Sequence, residues 1–216
     1  MFTLDTATFI TFAIILFVSL PAHELAHAAT ATAFGDPTPR LQGRLTFNPL
    51  RHLDPMGSLL LLVAGFGWAK PVQVDPALLR QRSPAALALV SVAGPGTNLL
   101  LALLGSALFR LHVLSLYWTY SSSFPSAGQF FSEFVLINLV LMLFNLIPIA
   151  PLDGEEVLAV FLPPAGQRAL ASVRPYGMYV LLALVLVGQF GGGRFNPLGT
   201  IIFNPAKWLA RHLIGL

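Results

Sequence analysis

His23 and His27 stand four residues apart in His23-Glu24-Leu25-Ala26-His27, at the end of an apolar stretch that begins near Phe9. On a helix, positions i and i+4 share one face, so both imidazoles can grip one metal ion. Glu24 projects beside them, close enough to take a proton from a water held there. The pattern is a recognised zinc signature. Ionisable groups inside a hydrocarbon-spanning segment cost roughly 2.5–3.5 kcal/mol each on insertion scales, and they mark function. The spacing therefore predicts metal chemistry carried out within a bilayer. The plainer alternative is a helix end at which polar side chains mark the water boundary.

A catalytic zinc takes three protein ligands and keeps one position open. The chain has no cysteine, which excludes a thiolate ligand, a cysteine nucleophile and disulfides, and only nine acidic residues can supply a carboxylate. Asp153 stands out among them, because it directly follows an apolar span in Pro151-Leu152-Asp153-Gly154. Gly154 would let the backbone turn closely there. Taken alone, such an Asp is a turn residue before it is a ligand. The order of the spans nevertheless puts it on the same side of the membrane as His27.

Those spans follow from composition. Hydrophobic residues make up 56% of the 216 residues and charged residues 10%, far below the roughly 25% charged of soluble domains. The net charge of +3 comes from Lys and Arg scattered through loops. That distribution suits membrane orientation better than a phosphate-tracking patch, so no nucleic-acid partner is expected. No Lys or Arg precedes Arg40, so the first apolar segment lacks the basic region of a signal peptide and reads as a retained helix.

Residues 8–33 form the first span, interrupted only by Pro21. Residues 35–55 are polar and turn-rich, with short alternating runs that could pair as strands. Met56–Trp68 is apolar but short: as a helix it reaches only about 20 Å against a core of about 30 Å. A re-entrant or sheet-like insertion sheltered by protein is expected there. Pro84–Leu111 and Phe130–Ile149 are further spans, separated by a loop whose Tyr117, Trp118 and Tyr120 suit the headgroup region. Tyr176–Phe190 is a fourth, and Thr200–Leu216 is either a last span or an amphipathic helix exposing Lys207, Trp208 and Arg211. The expected fold is a membrane all-α polytopic bundle of about four to six helices with a short re-entrant β-like insertion. One domain covers 1–216, with a core over about 8–160 and C-terminal helices over 170–216. If Met56–Trp68 does not cross, Arg40, Arg44, Arg51, Lys70, Arg80, Arg82, Arg168 and Arg174 share one side, against Arg110 and Arg194 on the other. That bias makes the first side cytoplasmic.

Four motifs in order then carry a resemblance: His23–His27, Gly67-Trp68-Ala69-Lys70-Pro71-Val72, Ala93-Gly94-Pro95-Gly96-Thr97-Asn98-Leu99, and the run Asn145 to Gly154. Over about residues 10–160 the chain resembles the site-2 protease family of intramembrane zinc metalloproteases. The resemblance implies Zn2+ bound by His23, His27 and Asp153, with Glu24 as general base. It implies hydrolysis of peptide bonds in or near transmembrane segments of protein or peptide substrates. It also implies a bacterial or archaeal cell membrane, the site facing the cytoplasm. Asn98 and Asn145 match family positions that hold substrate or the transition state; buried amides can equally serve as helix–helix glue, worth about 0.6 kcal/mol in membranes. Many family members continue Leu-Asp-Gly with a second Gly and a basic residue, whereas this chain has Glu155 and Glu156. Acidic residues there are expected to favour a helix start. His52, His112 and His212 are expected to be interfacial or solvated. A metal or proton transporter built on the same cluster, and a non-catalytic scaffold, are the competing function classes.

Overall fold

Long apolar runs with few breakers dictate helices. The computed structural model describes residues 6–64, 68–115, 125–190 and 196–215. Helix α1 covers Thr6–Ala33 and runs unbroken past Pro21. Short helices α2 (Thr38–Leu41), α3 (Pro55–Ala64) and α4 (Pro76–Arg82) lead to α5 (Ala86–Arg110) and α6 (Ala127–Asn145). Then come α7 (Asp153–Phe161), α8 (Pro164–Val173), α9 (Gly177–Phe190) and α10 (Asn204–Ile214). Four stretches are long and apolar enough to cross a membrane: Phe9–Ala33, Ala86–Arg110, Ala127–Asn145 and Pro164–Gly188. The chain is a multi-pass, all-helical membrane protein.

Helix α5 is the central post. It packs against α1 on one side and α6 on another, and it also receives α7 and α10. Ala31 of α1 is buried with Ala86, Leu87 and Val90 at the N-terminal end of α5. Small residues let the two backbones approach closely, as membrane helices require when packing rather than water exclusion holds them. Ile14, Phe17, Val18, Leu100 and Leu104 remain exposed on the same two helices and present the apolar surface that lipid needs.

The β-like part of the insertion is corrected. Residues 55–64 form a helix, and among the described residues pairing is reduced to a single antiparallel bridge, Leu53 to Ala69, with Lys70 N–H donating to the His52 carbonyl at 2.8 Å. The cause is local. Asp54 Oδ1 accepts the Gly57 N–H at 2.8 Å, Pro55 suits the first helical position, and the Leu-rich run that follows favours helix over strand. The bridge brings the two ends of the insertion together. Residues 35–55 form no strand either: Asp36 Oδ1 accepts the Thr38 N–H at 2.9 Å and starts α2, and Pro37, Pro39 and Pro49 cannot donate to a ladder.

Helix α6 starts earlier than the apolar pattern suggests, at Ala127, because Ser126 caps it by accepting the Gln129 N–H at 3.1 Å. The loop aromatics Tyr117, Trp118 and Tyr120 and the glycines 65 and 67 fall outside the described residues. Helix α10 docks by one face: Ala206, Ala210 and Ile214 are buried in a cluster with Ala102, Phe109, Val135 and Leu139. Lys207, Trp208 and Arg211 lie on its exposed face. Arg110 Nε donates to the Leu213 carbonyl at 2.8 Å and so ties the C-terminal end of α10 to that of α5.

Candidate metal centre

The last three turns of α1 carry His23 and His27 on the face turned to α5, and both are buried. Their Nε2 atoms lie 3.0 Å apart. Asp153, at the first position of α7, brings Oδ2 to 3.3 Å from His23 Nε2 and Oδ1 to 3.4 Å from His27 Nε2. One ligand atom from each residue fits within a 4.8 Å group. A tetrahedral ion with bonds of about 2.0–2.1 Å separates its ligand atoms by about 3.3 Å. The distances between the imidazoles and from each imidazole to its nearer carboxylate oxygen are close to that value.

Second contacts fix which nitrogens face the centre. His27 Nδ1 lies 2.8 Å from the Val90 carbonyl; a carbonyl only accepts, so Nδ1 carries the proton. His23 Nδ1 lies 2.6 Å from Asn98 Oδ1, the arrangement that metal-binding histidines use to orient the ring. Two Nε2 lone pairs then point at one another beside a carboxylate, an arrangement that a cation between them would satisfy. Asp153 Oδ2 is buried without a hydrogen bond. Opposite the pair, a Cβ at Gly94 would fall 2.4 Å from His27 Nε2 and 2.6 Å from His23 Nε2, so the space is kept clear by the absence of a side chain. The donor set, the orphaned oxygen and the cleared space all fit zinc.

Burial alone would raise the Asp153 carboxyl, but the two imidazoles beside it outweigh that and hold the group at about 2. It is thus a carboxylate throughout the physiological range. Glu24 is buried beside the histidines, and its Oε2 accepts the Val72 N–H at 3.1 Å. That bond reaches from the segment after the insertion to the first helix. Arg44 holds the same segment, donating to the Lys70 carbonyl at 3.2 Å and the Pro71 carbonyl at 3.4 Å.

Backbone geometry explains how Asp153 arrives. The chain turns after α6 through Asn145–Leu152, and a Cβ on Gly154 would lie 2.3 Å from the Leu146 carbonyl oxygen. Only glycine permits that approach. Glu155 and Glu156 sit in the first turn of α7 as expected, and both carboxylates pair with Arg174, at 2.7 Å each. That pairing leaves Asp153 as the acidic residue facing the imidazoles. A cavity of about 400 Å³ opens against Asp153 and Ser91, bordered by the Arg174 ion pairs.

The expectation that Asn98 holds substrate meets a different arrangement. Both ends of its amide are engaged inside the protein, Oδ1 with His23 and Nδ2 with Asn138 at 3.0 Å. Asn145 is half-buried and donates to the Leu141 carbonyl one turn back, at 2.9 Å. Asn138 escaped the sequence reading, although an Asn in the middle of an apolar helix was signal enough. His52 is corrected as well: it is fully buried, with Nε2 donating to the Thr46 carbonyl at 2.8 Å. His112 and His212 are exposed, and His112 adopts a left-handed φ of 56° where α5 ends.

Comparison with known proteins bears on the same chemistry. The family model for peptidase family M50 matches residues 117–188. A Bacillus subtilis protein named as a zinc metalloprotease, YwhC, is 43% identical over 194 residues, covering 89% of this chain and 83% of that one. Two Rip2 proteins, also named as zinc metalloproteases, are each 36% identical. The Mycolicibacterium smegmatis protein aligns over 78% of this chain and 64% of its own length. The Mycobacterium tuberculosis (strain H37Rv) protein aligns over 83% and 68%. No solved structure matches the chain significantly. With a relative this similar over most of both chains, the chain belongs to peptidase family M50, the site-2 protease family, and is a membrane zinc metalloprotease.

Proposed function

We propose that the chain is an intramembrane endopeptidase that cuts peptide bonds in or near the transmembrane segments of other membrane proteins. His23, His27 and Asp153 are the zinc ligands, Glu24 is the general base, and residues 1–216 act as one domain. The observation that carries the proposal is the meeting of His23 Nε2, His27 Nε2 and the Asp153 carboxylate, with Glu24 alongside, on a helix apolar enough to span a bilayer.

When bound, zinc supplies Lewis acidity that lets water ionise near neutral pH. Glu24 takes the proton of the attacking water at its carboxylate and returns it to the leaving amine. The Val72 N–H aims that carboxylate, and the Val90 carbonyl and Asn98 aim the imidazoles. Substrate reaches the site locally unwound, because an intact helix locks its carbonyls in internal hydrogen bonds. The cavity against Asp153 offers a way in, and Asn145 is the amide left to meet substrate or a developing oxyanion.

A transmembrane substrate reconstituted in liposomes with the protein should be cut. Cleavage should stop on chelation and return with added zinc. Asp153→Ala should lower zinc content well below one ion per chain and remove activity, since it takes one of three ligands. Zinc and activity surviving in Asp153→Ala would dismiss the ligand assignment.

The Lys and Arg bias places 35–84 and 150–175 in the cytoplasm, with the insertion dipping into the membrane and returning. The Leu53–Ala69 bridge supports the return. Because the chain has no cysteine, single cysteines at positions 45 and 78 can be labelled cleanly. Both should react from the cytoplasmic face. Reaction from opposite faces would end the re-entrant proposal.

A further inference from the structure

Asn98 and Asn138 are fully buried and face one another across α5 and α6. Their amides form a directed chain. Asn138 Nδ2 donates to the Phe134 carbonyl at 2.8 Å, Asn98 Nδ2 donates to Asn138 Oδ1 at 3.0 Å, and Asn98 Oδ1 meets His23 Nδ1 at 2.6 Å. A backbone carbonyl can only accept, so the Phe134 end sets the sense of every bond. Asn138 must turn its NH2 towards Phe134 and its oxygen towards Asn98. Asn98 must then turn its own oxygen towards His23, and His23 must keep its proton on Nδ1.

We propose that Asn138 is a positioning residue for the zinc site: through Asn98 it selects the tautomer of His23 that leaves Nε2 bare. The proposal rests on the assignment of His23 as a ligand. An interhelical amide pair serving only as glue would be satisfied in either sense and would not care where the imidazole proton sits. Without an acceptor at position 138, Asn98 is free to rotate. Its NH2 then faces His23, Nδ1 becomes the acceptor, and the proton moves to Nε2. There it occupies the lone pair that points to His27 and Asp153. Zinc must displace that proton and the preferred hydrogen bond together, so affinity falls although no ligand has changed.

Asn138→Leu removes the relay while keeping the branched shape of the side chain. Asn138→Ser rebuilds it, because a hydroxyl can accept from Asn98 and donate to the carbonyl one turn back, as serine does in helices. Two quantities are measured on the full-length protein in detergent. The first is the tautomer of the neutral His23 imidazole, by 15N NMR of metal-free, histidine-labelled protein at alkaline pH. The second is zinc affinity, by competition with a chelator. The parent and Asn138→Ser should hold the proton on Nδ1. Asn138→Leu should show Nε2–H and bind zinc about tenfold more weakly, the low end for outer partners of metal ligands. If the Leu variant fails to fold, Asn138→Ala takes its place in both measurements. A parental tautomer with affinity within about twofold of the parent in the folded Leu or Ala variant would overturn the proposal. So would a folded Ser variant as weak as Leu. His23→Ala separates the two layers: if it retains zinc, the ligand assignment fails, while the tautomer measurement still decides the relay.

Discussion

Glu24→Gln is expected to abolish proteolysis while leaving zinc and fold in place. Gln keeps the length and polarity of Glu, and its Oε1 can still accept the Val72 N–H that Glu24 Oε2 now accepts at 3.1 Å. It cannot take a proton from water at neutral pH, nor carry one to the leaving amine. General acid–base groups contribute about 10²–10⁴-fold to rate, so cleavage should fall by at least about a hundredfold. The measurement pairs initial rates on a reconstituted transmembrane substrate with metal content per chain. A transporter would pass metal or protons through the same cluster, and a scaffold would recruit partners without a base. Cleavage by Glu24→Gln at the parental rate would sink the proton-transfer role, whereas no cleavage by the parent either would favour one of those. Bound zinc lost along with activity would instead show Glu24 to be part of the metal site.

The metal centre was largely legible because its chemistry is written in short motifs. The i, i+4 pair needs only a helix, and α1 is apolar enough to guarantee one. Asp153 required the order of the spans as well, and Gly154 was readable as a close approach. The partners of Asn98 were not readable. An amide donates and accepts equally well, and its choice here depends on Asn138, forty residues away on another helix. His52 misled for a similar reason: a loop histidine looks solvated until Thr46, itself in an irregular segment, folds back to accept from it. The insertion was misread through neglect of a cap. Asp54 before Pro55 is a helix-start signal, and it outweighed the shortness that pointed to a re-entrant or sheet-like insertion. Overlooking Ser126 cost the first turn of α6 in the same way.

Gly94→Ala is expected to strip the site of zinc, whereas Gly96→Ala, two residues on, should leave it intact. A methyl group at position 94 would fall 2.4 Å from His27 Nε2 and 2.6 Å from both Nε2 and Cε1 of His23. Real contacts do not come that close, so something must yield. The rings cannot yield freely, because His27 is held at 2.8 Å by the Val90 carbonyl and His23 at 2.6 Å by Asn98. Either those bonds break or α1 moves away from α5, and both outcomes separate the imidazoles from Asp153. Overpacking of this kind costs about 1–3 kcal/mol. Set against the metal-competent arrangement, that is roughly 5- to 150-fold in zinc affinity. At Gly96 nothing lies within 4 Å of the added carbon, and Gly→Ala in a helix interior gains about 0.5–1 kcal/mol. Gly96→Ala should therefore melt at or slightly above the parent's temperature and bind zinc normally. Chelator competition and thermal melts on the pair give the comparison. Parental affinity in Gly94→Ala would mean that the helices stand further apart at the histidines than described here, and the close approach of α5 would no longer explain why this position has no side chain.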